Sequence, residues 1–148
     1  MEKNVVSVRP DTLLASAAKV LGEHGFDGVP VTDEIGTLVG ILTEYDLISK
    51  GSAIHLPTFQ KILESMPVFS KDKKDFQSDV EEVANMKVRD VMNDDPLTLG
   101  HDATYEEAVI AFRDHHRVNP IPVIDKDRKV IGVVSRFDVL KPLQALAP

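Results

Sequence analysis

The residues of this chain best suited to chemistry are a hydroxyl residue and a carboxylate that occur twice at one spacing. Thr43 lies three positions before Asp46, and Ser135 lies three positions before Asp138. Each hydroxyl residue follows an apolar run, so each is predicted to end a strand and begin a helix. The first-turn N–H groups of such a helix can donate to a phosphate, and the carboxylate can accept from ribose hydroxyls. The pattern therefore suits the phosphate and ribose of a nucleotide.

The same pattern also has a purely structural interpretation. A hydroxyl residue followed three positions later by an acid resembles a capping box, in which the two side chains satisfy the helix's own end. One isolated copy would favour the cap. Two copies at the same position of a longer repeat favour a binding role for both.

The two corners belong to an internal repeat. Residues 4–48 align with residues 95–140, first at an offset of 91 and, after one inserted residue, at an offset of 92. We predict an α+β fold class, with two β-α-β-β-α repeats related by a pseudo-twofold axis, each with a small mixed sheet and two helices. A unit of roughly 45 residues buries too little surface to be stable alone, so the two are expected to form one module.

Apolar spacing places the first helix of each copy. Leu14 to Leu21 and Tyr105 to Phe112 both have apolar residues at i, i+3, i+4 and i+7, which predicts amphipathic helices. The candidate N-caps are Asp11 in the first copy and, in the second, either Asp102 or Thr104 with Glu107. Gly22 and Gly25 are expected to end the first helix.

Short apolar runs predict three strands in each copy. The last two strands of each copy are expected to form a hairpin through an aspartate-containing turn. The predicted strands are Val5–Val8, Val29–Thr32, Leu38–Leu42, Leu97–Leu99, Ile121–Ile124 and Val130–Val134, and the turns are Asp33–Thr37 and Asp125–Lys129.

The predicted domain boundaries are 1–50 for the first copy, 51–86 for an insertion and 87–148 for the second copy. The insertion is charged and is predicted to contain helices through Phe59–Met66 and near Val80–Ala84. It either covers apolar edges of the module or contacts a partner. Met1 aligns with Met92, so the first copy lacks a counterpart of Met86–Val91. Either the chain was trimmed from a longer one or its natural start is abrupt.

Composition excludes several classes of protein. The formal net charge of -7 over 148 residues argues against general nucleic-acid binding. No apolar run approaches the roughly 20 residues of a membrane span, and no secretory signal is visible. The absence of cysteine excludes disulfides and cysteine-ligated metals. It also fits a reducing compartment, so a cytoplasmic location is expected.

No residue pattern indicates catalysis. The chain has no nucleophile–base–orienter set, no Walker-type loop and no metal cluster, so we expect neither catalytic residues nor a required cofactor. The run His115-His116-Arg117 could contact a phosphate or could form a solvated helix end, where cations are favoured. A metal site is disfavoured there, because no third ligand has recognisable spacing.

Several motifs together resemble a known family. They are "VPVTD" and "IPVID", the aspartate turns, the pattern G-h-h-[ST]-x-x-D in each copy (h is apolar), and "VRDVM" at 88–92. The chain resembles a tandem pair of CBS (cystathionine-β-synthase) domains, called a Bateman module. The resemblance implies a regulatory module that binds AMP, ADP, ATP or S-adenosylmethionine in two clefts between the copies. It also implies homodimers and an effector protein or domain that reads a conformational change.

The resemblance also implies the residues of the two sites. Thr43 and Ser135 would contact phosphate, and Asp46 and Asp138 would contact ribose. Apolar residues of the first and second strands would flank the adenine: Val6, Val8, Val29, Leu97, Leu99 and Ile121. Pro30 and Pro122 are assigned to the same sites.

Local charge predicts that the two clefts differ. Glu44 follows the first hydroxyl residue, whereas Arg136 follows the second, and Asp27 adds negative charge to the first copy. His116 and Arg117 add positive charge to the second copy. We therefore expect the Ser135 corner to take the phosphorylated ligand, although a basic residue could serve the other copy's cleft. The alternative function is a structural dimerisation module whose corners are only helix caps.

Overall fold

A computed structural model describes residues 1, 3–49 and 84–148. It confirms the predicted α+β class with two related copies. The first copy contains α1 (Leu14–His24), β1 (Gly28–Thr32), β2 (Leu38–Thr43) and α2 (Glu44–Ser49). The second copy contains a 3₁₀ helix (Val88–Asp90), β3 (Leu99–Gly100), α3 (Tyr105–Asp114), β4 (Ile121–Ile124), β5 (Val130–Val134) and α4 (Arg136–Gln144). The helices predicted for the insertion lie outside the described residues, apart from Ala84, which is helical.

The amphipathic spacing predicted α1 and α3 correctly. Leu14, Ala17 and Leu21 are the buried face of α1, and Ala108 and Phe112 are the buried residues of α3. Tyr105, by contrast, is 56% exposed, although its counterpart Leu14 is only 2% exposed. The helix of the second copy is therefore less covered than that of the first.

The start of α1 differs from the prediction. Its N-cap is Leu13, with no side-chain cap, so the prediction of Asp11 is wrong. The Leu14 N–H donates instead to the Met86 carbonyl at 2.8 Å. A distant segment thus supplies the acceptor that a local aspartate was expected to provide.

The other helix ends follow local rules. Thr104 and Glu107 form a reciprocal capping box at α3, so the alternative that named them is confirmed and Asp102 is not the cap. Gly25 ends α1 in the left-handed region at φ 64°, which glycine adopts without a Cβ clash. Gly22 lies inside the helix.

Two hairpins dominate the sheets. β1 pairs with β2 antiparallel, and β4 pairs with β5 antiparallel. In the first turn the Asp33 carboxylate accepts N–H groups from Ile35 and Thr37 at 3.0 and 2.9 Å, which lowers the pKa of Asp33. Asp125 accepts in the same way in the second turn. Both predicted hairpins are confirmed.

The first strand of each copy is shorter than predicted. Of Val5–Val8, only Val8 pairs, in a parallel bridge with Val31. The Val8 N–H donates to the Pro30 carbonyl and the Val8 carbonyl accepts the Thr32 N–H, at 3.0 and 2.9 Å. In the second copy the strand is Leu99–Gly100, parallel to β4, and not Leu97–Leu99.

A pseudo-twofold axis passes between the hairpins. Thr37 forms an antiparallel bridge with Lys129, its own counterpart at the offset of 92. On either side, Leu38 N–H donates to the Arg128 carbonyl at 2.9 Å, and Val130 N–H donates to the Gly36 carbonyl at 3.2 Å. These two hydrogen bonds exchange when the copies are exchanged, as a twofold relation requires.

The core of the first copy contains residues from the second. We call Met86–Met92 the lead-in segment. Val88 and Val91 are 0% and 1% exposed within the cluster around α1, and Met86 and Met92 pack against it. The lead-in segment thus joins the two copies, in addition to the contacts between the hairpins at the pseudo-twofold axis.

Candidate functional site

The Thr43–Asp46 corner closes on itself at the start of α2. The Thr43 N–H and hydroxyl both donate to Asp46 Oδ2, at 3.1 and 2.9 Å, and the Asp46 N–H donates back to Thr43 Oγ1 at 3.1 Å. Both residues are buried, at 8% and 5% exposure. The Glu44 N–H already donates to the Asp27 carbonyl. Few first-turn N–H groups are therefore left for a phosphate, contrary to the expectation from sequence.

The Ser135–Asp138 corner has the same arrangement at the start of α4. The Ser135 N–H donates to Asp138 Oδ2 at 2.8 Å, and the Asp138 N–H donates to Ser135 Oγ at 3.3 Å. Lys141 Nζ lies 2.7 Å from Asp138 Oδ1. Burial works to raise the pKa of Asp138, but the hydrogen bonds from Lys141 and the Ser135 N–H outweigh it and lower the pKa. Asp138 is therefore held ionised.

The Thr43 cleft is a cavity of about 230 Å³ that contains the first corner. Most of its other wall comes from the second copy, from the segment after the lead-in and the segment before β4. Its lining residues are Ile41, Thr43, Tyr45, Asp46, Asn93, Pro96, Leu97, Arg117, Val118, Asn119 and Pro120.

The Ser135 cleft is a cavity of about 320 Å³ that contains the second corner. Its other wall comes from the start of the chain and the segment before β1. Its lining residues are Asn4, Val6, Gly25, Phe26, Asp27, Gly28, Pro30, Asn119, Pro120, Val133, Ser135, Phe137 and Asp138.

The two clefts are pseudo-symmetry mates. Val6 corresponds to Leu97, and Phe137 corresponds to Tyr45, so each cleft combines the corner of one copy with apolar residues of the other. Of the predicted residues, the first cleft contains Thr43, Asp46, Leu97 and Arg117, and the second contains Val6, Pro30, Ser135 and Asp138. The resemblance implied two clefts between the copies, and each of these two cavities takes its walls from both copies.

Several predicted adenine contacts lie elsewhere. Val8 and Val29 belong to the core cluster of the first copy, and Ile121 and Pro122 are fully buried in the second. Pro30 is fully buried as well, yet it is among the lining residues of the Ser135 cleft, whereas its counterpart Pro122 lines neither cleft. Leu99 lines a separate groove. Val8, Val29, Leu99, Ile121 and Pro122 lie outside the lining of both clefts, so their assignment as adenine contacts is corrected.

Arg117 lines the cleft opposite to the one favoured from sequence, which is the alternative that the sequence analysis left open. It lines the Thr43 cleft, where its Nη1 donates to Tyr45 Oη at 2.6 Å and its guanidinium lies 5.3 Å from the centre of the Tyr45 ring. Arg117 corresponds to Gly25 of the first copy, so the Ser135 cleft has a glycine at that position. Arg117 lies in the Thr43 cleft because each cleft is formed by the corner of one copy and a wall from the other copy.

Arg136 does not line either cleft. Its guanidinium donates to the carbonyls of Phe112, His115, His116 and Val118, at 3.4, 3.0, 2.6 and 3.1 Å. It also lies over the Phe112 ring, 5.3 Å from its centre. The structure therefore corrects its prediction as a phosphate contact, since the side chain closes the C-terminal end of α3.

The histidines near this helix end have a structural position. His115 Nδ1 lies 2.9 Å from the Ala111 carbonyl, and His24 Nδ1 lies 2.9 Å from the Val20 carbonyl at the equivalent end of α1. His116 is exposed and is not among the lining residues of either cleft. The solvated helix-end interpretation fits both positions better than phosphate contact does.

The charges of the two clefts are the reverse of the expectation. The Thr43 cleft is lined by one carboxylate, Asp46, and one guanidinium, Arg117. The Ser135 cleft is lined by two carboxylates, Asp27 and Asp138, and by no lysine or arginine among the described residues. The first cleft is therefore the more favourable for an anion.

The prediction from sequence missed several lining residues. Tyr45 and Phe137 each lie between the hydroxyl residue and the aspartate of a corner, and an aromatic residue at both positions was a readable signal. Asn119 and Pro120 line both clefts. They lie on the pseudo-twofold axis, which only the packing of the copies defines.

Residues 1, 3–49 and 84–148 contain neither a metal-binding cluster nor a membrane-spanning helix. No group of three or more His, Asp or Glu side chains could hold a metal ion. No helix in this part of the chain is long and apolar enough to cross a membrane.

The fold and the clefts define a class of protein: a paired α+β module with two interfacial cavities. The model of the CBS domain family matches residues 1–52 and again residues 88–145. The chain belongs to the CBS domain family and contains a tandem pair of these domains.

Relatives with the same pair differ greatly in length. The chain is 29% identical over 139 residues to inosine-5'-monophosphate dehydrogenase of Methanocaldococcus jannaschii, covering 94% of this chain but 22% of that protein. It is 29% identical over 150 residues to protein MJ1426 of the same organism, covering 97% of this chain and 88% of that one. The pair thus occurs both as a small part of an enzyme and as most of a short protein.

Solved structures show the same fold. The CBS-pair protein CBSX2 of Arabidopsis thaliana has a TM-score of 0.70 at 25% identity, covering 99% of this chain and 92% of that chain. CBSX2 in complex with AMP has a TM-score of 0.71 at 24% identity, with coverage of 99% and 93%. This chain spans 58% of the length of the curated chloroplastic CBSX2 sequence.

Proposed function

We propose that the chain is a regulatory module that binds adenosine nucleotides between its two copies. The observation that carries the proposal is the pair of equivalent clefts, each of which joins a hydroxyl–carboxylate corner to apolar residues of the other copy. The Ser135 cleft, at about 320 Å³, lies at the lower end of the range of about 300–1,000 Å³ for small-molecule sites, and the Thr43 cleft, at about 230 Å³, is smaller than that range. The AMP complex of the structurally similar CBSX2 supports an adenine ligand.

In the Thr43 cleft we assign a separate role to each polar group. Asp46 would accept hydrogen bonds from the ribose hydroxyls, and Arg117 would pair with the phosphate. Thr43 would hold the Asp46 carboxylate in position, and its contact with phosphate remains a prediction. The adenine would lie among the apolar lining residues: Ile41, Leu97, Val118 and Pro120.

The Ser135 cleft suits a different ligand charge. Lys141, 2.7 Å from Asp138, offsets the charge of that carboxylate, but Asp27 has no lysine or arginine beside it among the lining residues and would repel a phosphate. We propose that this cleft holds adenosine or the sulfonium of S-adenosylmethionine. The phosphorylated ligands AMP, ADP and ATP are assigned to the Thr43 cleft. This assignment reverses the one that the sequence favoured.

We propose that ligand binding acts through the relative position of the copies. A ligand in either cleft contacts both copies, so it would stabilise the arrangement whose spacing it fits best. An effector protein or domain would read that change, and the module itself would be regulatory and not catalytic. The cysteine-free composition suits the reducing cytoplasm, where we place this function.

A homodimer is part of the proposal. Four large side chains of the C-terminal region, Phe137, Leu140, Leu143 and Leu146, are 68%, 43%, 66% and 79% exposed. Exposed apolar surface commonly marks a protein contact, so we propose that these side chains contribute to the dimer interface. A structural dimerisation module without ligand is the second candidate, and the closed capping boxes of both corners favour it.

A ligand panel distinguishes these two functions. The chain would be titrated with adenosine, AMP, ADP, ATP and S-adenosylmethionine by calorimetry and by thermal unfolding. A ligand at a hundredfold above Kd should stabilise the fold by about 2.7 kcal/mol. Stabilisation by none of the ligands would favour the dimerisation module.

A single substitution tests the assignment of the phosphate. Arg117→Met should weaken AMP about tenfold or more, because a charge-assisted contact is lost, and should leave adenosine affinity unchanged. Arg113→Met is the matched control, since Arg113 is an exposed arginine paired with Asp114 and lines neither cleft. Equal AMP affinity in the Arg117 variant and the parent would contradict the assignment.

A further inference from the structure

Tyr45 and Arg117 meet in the Thr43 cleft, one from each copy. Tyr45 belongs to α2 of the first copy, Arg117 precedes β4 of the second copy, and both line the cavity. Arg117 Nη1 lies 2.6 Å from Tyr45 Oη, and the guanidinium lies 5.3 Å from the centre of the Tyr45 ring. The pair therefore joins the two walls of this cleft.

The chemistry of the two groups fixes the direction of their hydrogen bond. A guanidinium has donors and no acceptor, so Arg117 donates and the Tyr45 oxygen accepts. The phenolic hydrogen then remains for another acceptor. In the described part of the chain, neither this hydroxyl nor the rest of the guanidinium donates to a protein group. Two kinds of unused donor thus lie side by side in the cavity.

These donors suit the phosphate of a nucleotide. Phosphate oxygens are ionised acceptors, which form shorter and stronger hydrogen bonds than neutral ones. The hydrogen bond from Arg117 also polarises the Tyr45 hydroxyl, which strengthens it as a donor. A phosphate that accepts from both residues would contact both copies at once.

The Ser135 cleft has neither group. At the offset of 92, Phe137 takes the place of Tyr45 and Gly25 takes the place of Arg117, and both line that cleft. The aromatic ring is present in each cleft, but the hydroxyl and the guanidinium are present only in the first. The polar pair is therefore a difference between the clefts that bears directly on phosphate.

We propose that the Tyr45 hydroxyl is a direct phosphate contact and that, with Arg117, it selects phosphorylated ligands for the Thr43 cleft. This inference rests on the proposed function, which assigns AMP, ADP and ATP to that cleft. Tyr45 Oη accepts from Arg117 and donates its own hydrogen to a phosphate oxygen. The Tyr45 ring also positions the guanidinium through their stacking contact.

The substitution Tyr45→Phe removes the hydroxyl and keeps the ring. AMP should bind this variant about tenfold more weakly, because a hydrogen bond to a charged group is lost, whereas adenosine should bind as it binds the parent. Calorimetry measures both affinities, and thermal unfolding checks that the variant is folded. Tyr105→Phe is the matched control, since the Tyr105 hydroxyl donates to the Val139 carbonyl and lines neither nucleotide cleft.

A double-mutant cycle with Arg117→Met separates direct contact from positioning. If the hydroxyl contacts the phosphate, Tyr45→Phe should still weaken AMP several-fold when residue 117 is already methionine. Loss of the whole Tyr45→Phe effect in that background would overturn the direct contact. An equal loss of adenosine affinity in the Tyr45→Phe variant would also overturn it, because the change would then act on the shape of the cleft.

Failure of this inference and failure of the proposed function give different results. If the parent binds AMP, and Arg117→Met weakens AMP while Tyr45→Phe does not, the role of the Tyr45 hydroxyl is wrong and the proposed function stands. If the parent binds neither AMP nor adenosine, the proposed function and this inference are both wrong.

Discussion

Asp27 and Asn119 occupy the same position in the two copies and are hydrogen bonded to each other. Asn119 Nδ2 donates to Asp27 Oδ2 at 2.7 Å, and Asn119 Oδ1 accepts the Arg136 N–H at 3.1 Å. Equivalent residues meet here because the pseudo-twofold axis passes between them. The Asn119 amide therefore connects the two copies and the start of α4. It can do so because this position holds an amide in one copy and a carboxylate in the other.

Asn119→Asp should destabilise the fold at neutral pH by about 1–2 kcal/mol. The change removes a donor and brings two carboxylates together. Urea denaturation measures the effect. The double variant Asp27→Asn with Asn119→Asp exchanges the pair and should recover much of the stability, because one amide and one carboxylate again face each other. Equal loss in the single and double variants would contradict this explanation.

Arg136→Met should destabilise the fold by about 2 kcal/mol, because the guanidinium holds carbonyls at the end of α3. Arg136→Lys should recover only part of that stability, since an ammonium lacks the planar fork of donors. Nucleotide affinity, measured on the folded variants by calorimetry, should stay at the parent value. A selective loss of AMP binding would instead restore the ligand role that the sequence favoured.

Two glycines should respond in opposite directions to alanine. A Cβ on Gly28 would lie 2.8 Å from Pro120 Cδ and 2.9 Å from Thr43 Cγ2, so Gly28→Ala should cost about 1–3 kcal/mol. Gly22 has nothing within 4 Å of an added Cβ, and it lies inside α1. Gly22→Ala should therefore stabilise by about 0.5–1 kcal/mol. Thermal unfolding of both variants checks the pair, and a tolerated alanine at Gly28 would contradict close packing at the axis.

Asp138 should make stability depend on pH. Burial works to raise its pKa, but the hydrogen bonds from Lys141 and the Ser135 N–H hold it below the ordinary value of 3.8. The folded pKa is lowered, so this stabilisation is present above the ordinary pKa and is lost as pH falls through the folded pKa.

Removal of the Lys141 partner tests this dependence. Lys141→Met should lower the unfolding free energy by about 1 kcal/mol or less at neutral pH. The difference from the parent should vanish in acid below the folded pKa of Asp138. Lys19→Met is the control, because Lys19 and Glu23 form an exposed pair at 3.8 Å. A difference that persists unchanged in acid would show that Lys141 acts through packing.

Local patterns were sufficient for much of the fold. The hairpins, α1 and α3 follow from residues close in the chain, and the Thr104–Glu107 cap is a local motif. The start of α1 and the short first strands were not predictable in this way. Leu14 finds its acceptor in Met86, and Val8 pairs with Val31, and both partners are distant in sequence.

The sequence by itself determined that there are two related copies and two hydroxyl–carboxylate corners, because a repeat and a three-residue spacing are visible without coordinates. Only the tertiary structure decided which groups surround each corner. Each cleft takes a wall from both copies, so Arg117 of the second copy lies beside Thr43 of the first, and Asp27 of the first lies in the Ser135 cleft. The clefts therefore have the opposite charges to those expected from sequence. The pseudo-twofold axis places residues of one copy beside the corner of the other, and these neighbours are distant in sequence.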